Sequence, residues 1–371
     1  MPKSAYIHIP FCAHKCDFCD FAVVTNLEAR IPEYCQTVCR EIQERVESTD
    51  SRLDTVFYGG GTPGYVEALE LKRIHETLAD SVGIEKNAEI TLETTPNAVT
   101  AHKAEAWLKL GINRLSIGIE SLNDHELKAM GRDHSRAQAL TSVKEAQTAG
   151  FKNIAIDLMY GLPEQTIDSW QNCLDDALAL GLPHLSAYAL TLATNSPLLK
   201  RYPLGSPQMP DDDLSASMYE MLVDSAQKAG LAQYEVSNFS HPGLQSQHNL
   251  AYWHNDEYYG FGLSAHRYVG GIRSHNWRSF NRYLQDYLGH ENLEVIDTAT
   301  RVKEAIILGL RTTDGIDLTK FEERYGVNLL SEFQSKIAEF TDQQLFEESK
   351  TNLKLTRKGM LLSNLVLCQF V

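Results

Sequence analysis

Short runs rich in β-branched and aromatic residues alternate with helical patterns through the first half of the chain, and this alternation restricts the fold more than any other feature. The runs are SAYIHI (4–9), LDTVFY (53–58), AEITLE (88–93), NRLSIGI (113–119), NIAIDLMY (153–160) and HLSAYAL (184–190). Helical spacing is clearest over 31–46, where Ile31, Tyr34, Cys35, Val38, Cys39, Ile42 and Val46 fall at i, i+3 and i+4. Similar patterns over 67–80, 100–110, 135–149 and 166–180 fill the other gaps. Strand then helix, repeated, predicts parallel strands joined by crossovers. Six units are too many for a small open sheet and too few for a closed eight-fold barrel. The expected α/β fold is therefore an open, partial (β/α)6 TIM-like barrel over 1–200, with its chemistry at the C-terminal ends of the strands.

Those ends carry unusual residues. Three cysteines follow the first run, Gly59-Gly60-Gly61-Thr62-Pro63 follows the second, and Glu93, Glu120 and Asp157 sit in or at the ends of the next three. After about residue 200 the pattern changes. RYPLGSPQMPDDD (201–213) has three prolines and reads as a loop ending at an Asp-rich helix start. A helix over 214–229, a strand over 232–237 and an aromatic, histidine-rich stretch to about 280 make 201–300 a barrel extension. Residues 301–371 read as a mainly helical, winged-helix-like domain with a β-hairpin over 345–356. Its ten Lys or Arg balance ten Asp or Glu, which favours a packing or lid module over a DNA reader.

With 371 residues and 43% apolar content the chain can bury a large core without disulfides. No apolar run approaches the roughly 18 residues of a membrane span, and MPKSAYIHIP has no signal-peptide pattern, so a cytoplasmic location is expected. A net charge of −15 opposes broad nucleic-acid binding and adsorption to anionic membranes. Seven cysteines, three of them within eight residues, fit a reducing compartment and a metal or catalytic role.

The three are Cys12, Cys16 and Cys19, in C-A-H-K-C-D-F-C. A structural zinc site wants four protein ligands, and no second close pair exists. Cys35 and Cys39 lie on the apolar helix face and read as core, as do the isolated Cys173 and Cys368. Three thiolates instead suit a four-iron cube with one iron left open to a small molecule. His14, inside the loop, reads as solvated rather than as a ligand.

A CxxxCxxC loop directly after the first strand resembles the motif of the radical S-adenosylmethionine enzymes. The resemblance continues through YIHIPFC, YGGGTPG, LETTPN, GINRLSIGIES, AIDLMYGLPEQT, YEVSNF, HNLAYW and GLRTTDGI, in that order. It is to the oxygen-independent coproporphyrinogen oxidase-like group and, within it, to the haem chaperone branch. It implies a [4Fe–4S] cluster on Cys12, Cys16 and Cys19, whose open iron chelates S-adenosylmethionine. By the same resemblance Tyr6, Phe18, Gly60, Gly61, Thr62, Glu93, Glu120, Arg132 and Asp157 line the S-adenosylmethionine site. Glu120 stands where the relatives usually have glutamine, and a salt bridge to Arg132 is its structural alternative. The competing reading of the glycines is a bare strand-to-helix turn.

Two functions follow from the resemblance. One is radical oxidative decarboxylation of coproporphyrinogen, in haem biosynthesis; the other is a haem carrier that need not act as an enzyme. The coproporphyrinogen dehydrogenases extend the motif to CxxxCxxCxC, where this chain has Phe21 after Asp20, and they carry an N-terminal extension where only eleven residues precede Cys12. The chaperone branch carries HNxxYW, present as His248-Asn249-Leu250-Ala251-Tyr252-Trp253. His248 is the first choice of haem ligand, with His254 and His266 in reserve; ordinary His-aromatic packing is the alternative. The carrier reading implies haem, haem-accepting proteins in or near the respiratory membrane, and an electron donor as partners. An RNA-modifying radical enzyme would need a basic surface that the composition does not supply.

Overall fold

The computed structural model describes residues 1–46, 51–194, 196–349 and 351–370. Six parallel strands form its centre: β1 (Ser4–Ile9), β2 (Leu53–Gly60), β3 (Ile84–Thr94), β4 (Arg114–Glu120), β5 (Asn153–Tyr160) and β6 (His184–Ala189). They pair in chain order, each with the next. The crossovers carry the expected helices, Ile31–Arg45, Ala68–Ser81, Ala101–Lys109, Arg136–Ala149 and Ile167–Leu178. Ser135 and Thr166 start the last two with capping boxes, satisfying amide groups that a helix start otherwise orphans. The sheet is longer than the six units. Antiparallel β7 (Ala232–Glu235) and β8 (Asn238–Ser240) extend it beyond β6, and β9 (Tyr259–Phe261) adds in parallel beyond β1, giving nine strands. Among the described residues β7 and β9 do not pair, so the barrel stays open.

Period-two alternation sorts the residues of each strand. In β1, Ala5, Ile7 and Ile9 are wholly buried and share one core with Tyr34, Cys35, Val38 and Ile42 of the first helix. Tyr6 and His8 point the other way, beside Phe57 and Gly59 of β2, into the barrel. The strand expected over 232–237 is instead a tight hairpin, because the chain turns at 236–237 and returns as β8 to pair with β6. Further on, β10 (His266–Val269), β11 (Ile272–His275) and β12 (Glu291–Val295) form a small antiparallel sheet.

In the C-terminal region, β13 (Ile316–Asp317), β14 (Phe346–Glu348) and β15 (Asn352–Leu355) make a three-stranded sheet among short helices. β14 and β15 are the expected hairpin; residue 350 within it lies outside the described residues. Cys35 and Cys173 are core residues as expected, and Cys39 packs against the core. Cys368 is not: it is exposed on the final turn, where Val366, Leu367 and Phe370 take the inward positions. Among the described residues no helix is long and apolar enough to cross a membrane.

Candidate functional site

The cysteine loop leaves β1 and is held at both ends. The Cys12 amide donates to the Val24 carbonyl at 3.0 Å and the Val24 amide to the Pro10 carbonyl at 2.8 Å. Its middle is tied across the barrel mouth. The Asp17 amide donates to the Met130 carbonyl at 3.1 Å, Arg201 pairs with the Asp17 carboxylate, and His14 Nε2 donates to the Gly131 carbonyl at 2.9 Å. His14 is thereby a strut of the loop. Cys12, Cys16 and Cys19 carry free thiols and line one cavity of about 430 Å³.

The glycine run lies against the cysteine loop, with Gly60 and Gly61 lining the same cavity, and each glycine has a steric reason. A Cβ on Gly59 would lie 2.9 Å from Tyr6, Phe57 and the Glu93 carboxylate. One on Gly61 would lie 2.7 Å from the Pro10 carbonyl and 2.9 Å from Cys12 Sγ. Gly60 sits at φ +113°, and a Cβ there would come within 2.5 Å of the His8 ring. The run is therefore both a turn and a surface pressed against the cysteine loop. Thr62 Oγ1 donates to Cys12 Sγ at 3.5 Å.

The three carboxylates meet in the same cavity. Glu93 Oε2 accepts from the Gly60 amide at 3.0 Å, and Ser116 Oγ donates to Asp157 at 3.3 Å. Burial, reinforced by Asp157, raises Glu93 to about 7; burial, reinforced by Glu120, raises Asp157 to about 7. Glu120 is also raised, by burial first. It ends β4 at a register shift in left-handed backbone, φ 69°, a conformation that costs an ordinary residue energy and often marks a working site. The alternative of a Glu120–Arg132 salt bridge is not what forms. Tyr188 donates to Glu120 at 2.9 Å, while Arg132 donates to Cys16 Sγ at 3.1 Å and to the Gly118 carbonyl.

The donor set fits a cluster. Three thiols without disulfides converge on one cavity, a guanidinium already faces one of them, and a glycine leaves room beside another. No described group of three or more His, Cys, Asp or Glu is close enough to hold a single metal ion. Thiolates on a cube each take a different iron and need not crowd one point. Burial first of all raises each thiol above its ordinary value, Cys12 to about 11, so loading such a cluster would release protons.

Phe18, Gly60, Gly61, Thr62, Glu93, Glu120, Arg132 and Asp157 all line this cavity together with the three cysteines. Tyr6 does not. Its hydroxyl bonds His8 Nδ1 at 3.1 Å, and its ring lines a second, lateral cavity. Arg114, Ser186, Tyr188 and Asn249 line the cysteine cavity and were missed from the sequence. The signal was there for three of them: each is a polar residue at an inward position of an otherwise apolar strand. Arg114 is only 2% exposed and its Nε has no hydrogen-bond partner; its charge acts on Glu93 and Asp157, partly offsetting the rise that burial imposes on them.

His248 is placed differently from its expected ligand role. It is buried on the helix Gln247–Trp253, its Nδ1 bonded to Thr55 Oγ1 at 2.7 Å and its Nε2 to the Tyr252 hydroxyl at 2.8 Å. The ring stacks on Phe57, and burial lowers its pKa to about 3. Neither nitrogen is free for iron in this arrangement. Asn249 reaches the cysteine cavity while Tyr252 lines the lateral one, so the motif spans both. His254 is exposed and lies outside both cavities; His266 lines the lateral one.

Comparison with known proteins adds a family to this geometry. The model of the radical SAM superfamily matches residues 6–177, and that of the HemN C-terminal domain matches residues 296–362. The chain is 35% identical to the haem chaperone HemW of Lactococcus lactis, covering all of this chain and 97% of that protein. It is 34% identical to the haem chaperone HemW of Bacillus subtilis, covering 100% and 99%. The structure of the coproporphyrinogen III oxidase HemN of Escherichia coli superposes with a TM-score of 0.87 at 21% identity, over 99% of this chain and 89% of that one, a likeness of fold.

Proposed function

Since the chain belongs to the radical SAM superfamily and, within it, to the family of the haem chaperones HemW, we propose that it is a haem chaperone that takes up haem and delivers it to acceptor proteins. Full-length similarity to curated haem chaperones is the observation that carries the reading. In this proposal Cys12, Cys16 and Cys19 hold a [4Fe–4S] cluster, and Phe18, Gly60, Gly61, Thr62, Glu93, Glu120, Arg132 and Asp157 surround S-adenosylmethionine. Bound, the cluster supplies one-electron chemistry and an iron with an open coordination position.

The residues present support that assignment in charge as well as shape. Arg114 or Arg132 acts on each of the three buried carboxylates of the cavity, burial still raises all three, and a ligand carrying a sulfonium and an ammonium would stabilise their charged forms. The Gly60 amide orients Glu93 toward the cavity, and Phe18, between Cys16 and Cys19, adds an aromatic ring to the lining. Arg132 offsets charge on the Cys16 sulfur. Seven free cysteines support a reducing, cytoplasmic setting. The acceptors, expected among respiratory proteins at the membrane, and the electron donor belong to the same proposal.

A second reading, coproporphyrinogen dehydrogenation, is favoured by the shared fold with HemN. The side chain after Asp20 speaks against it, being an exposed Phe21 and not a fourth cysteine. Two assays on the anaerobically reconstituted protein decide. Haem titration followed by transfer to an apo-acceptor is expected to succeed, and incubation with coproporphyrinogen, S-adenosylmethionine and reductant is expected to yield no protoporphyrinogen. Protoporphyrinogen formation, or no haem uptake, would overturn the proposal.

A further inference from the structure

The lateral cavity, about 630 Å³, lies between β1, the segment 252–278 and the helix Thr298–Gly309. That volume falls within the roughly 300–1,000 Å³ of sites that bury most of a small ligand. Its walls suit a flat, apolar molecule with acidic ends. Tyr252, Tyr258 and Tyr268 present rings, and Ile307 and Leu308 present aliphatic surface. Phe21 stands at the lip, 67% exposed, and lines both this cavity and the cysteine cavity. Two non-glycine residues of the wall, Asn255 and Ser264, hold left-handed backbone at φ 54° and 56°, strain of the sort that clusters at binding sites.

The histidines differ in what they have left to give. In His8 both ring nitrogens are engaged, by the Tyr6 hydroxyl and the Ala22 carbonyl. In His248 both are engaged, by Thr55 and Tyr252. The His275 ring, 4.6 Å from that of His266, is bonded to Asn276 and Asn292. His266 is exposed at the start of β10, and among the described residues its ring has no hydrogen-bond partner.

The acids and bases of the wall differ likewise. Glu304 is paired with Arg273 at 2.6 Å and Asp256 with Arg324 at 3.1 Å. Arg278 donates only to the Asp20 carbonyl, at 3.4 Å, and has no carboxylate partner among the described residues.

From this geometry we propose that the lateral cavity is the haem site, with His266 Nε2 or Nδ1 as the iron ligand and Arg278 facing a propionate. The inference rests on the haem-carrier reading and adds the site to it. His248 is then a positioning residue: it holds the Tyr252 hydroxyl, and so sets the ring that lines the cavity edge-on to Tyr258. Its loss weakens binding without removing the axial ligand.

The test is haem titration of the reconstituted full chain, reading affinity, the Soret band and the ferric EPR spectrum. His266→Ala is expected to lose about tenfold or more in affinity and to lose the histidine-ligated spectrum. Arg278→Glu, at an exposed site, is expected to lose roughly threefold to tenfold with the spectrum retained. His248→Ala is expected to bind more weakly with the wild-type ligation signature. Wild-type spectrum and affinity in His266→Ala, with the ligation signature lost in His248→Ala, would overturn the inference and leave the carrier reading standing. A wild-type chain that takes up no haem would instead remove the carrier reading, and this site with it.

Discussion

The two cavities touch at Phe21 and are built in opposite ways. The cysteine cavity draws on loops and strand ends in chain order, from Cys12 through Gly60, Glu93, Glu120 and Asp157 to Tyr188, and its lining is charged. The lateral cavity joins β1 to segments some 250 to 300 positions later, and its rings come from a stretch with no regular spacing. A repeated fold brings its strand ends together automatically, so one motif per unit suffices to write a site. A cavity between a barrel edge and a later helix exists only once both have docked.

The largest expected effect separates the cavities outright. Cys16→Ala should abolish the four-iron absorbance and iron content of the reconstituted protein, while apo-protein folding and haem uptake persist. Retention of full iron would remove the cysteine cavity as the cluster site. Next, Gly60→Ala forces a side chain into left-handed backbone and against the His8 ring. It should destabilise the fold by about 2–5 kcal/mol in urea denaturation, since the conformational and overpacking costs add. A loss below about 1 kcal/mol would mean that the wall yields more easily than its contacts indicate.

The third expectation concerns pH. Glu93 is raised from 4.5 and Asp157 from 3.8, both to about 7, so the folded chain holds these protons more tightly than the unfolded one. Their contribution is fully present below the unfolded values and is lost as pH rises through about 7. Cofactor-free protein should therefore lose stability across that interval, and Glu93→Gln should flatten the slope. A urea midpoint that stays constant across that interval, or an unchanged slope in Glu93→Gln, would contradict the raised carboxylates. Smallest is Phe21→Ala. Exposed as it is, the ring should contribute less than about 0.5 kcal/mol to folding, while haem dissociates faster by less than about tenfold. An unchanged off-rate would detach Phe21 from the lateral cavity.

Much of the first cavity was legible because its parts obey local rules. Cysteine spacing, a glycine run after a strand and carboxylates at strand ends are visible without knowing what they face. Arg114 and Tyr188 were overlooked although the two-residue period of β4 and β6 already pointed them inward. Tyr6 shows the limit of that rule, since alternation assigned the correct face of β1 and not the cavity that the side chain would enter. His248 shows it more sharply. A histidine among aromatics reads equally as a ligand or as a packed and hydrogen-bonded ring, and only the positions of Thr55 and Tyr252 distinguish the two.

The order of the six parallel strands and their crossover helices, the alternation of faces along those strands and the gathering of cysteines, glycines and acids at one end of the barrel were determined by the sequence alone, because period and spacing are local properties of the chain. Tertiary structure decided which histidine keeps its nitrogens free, which arginine lacks a carboxylate, and that a second cavity opens beside the first. Those outcomes depend on contacts between segments hundreds of residues apart, which no local pattern encodes.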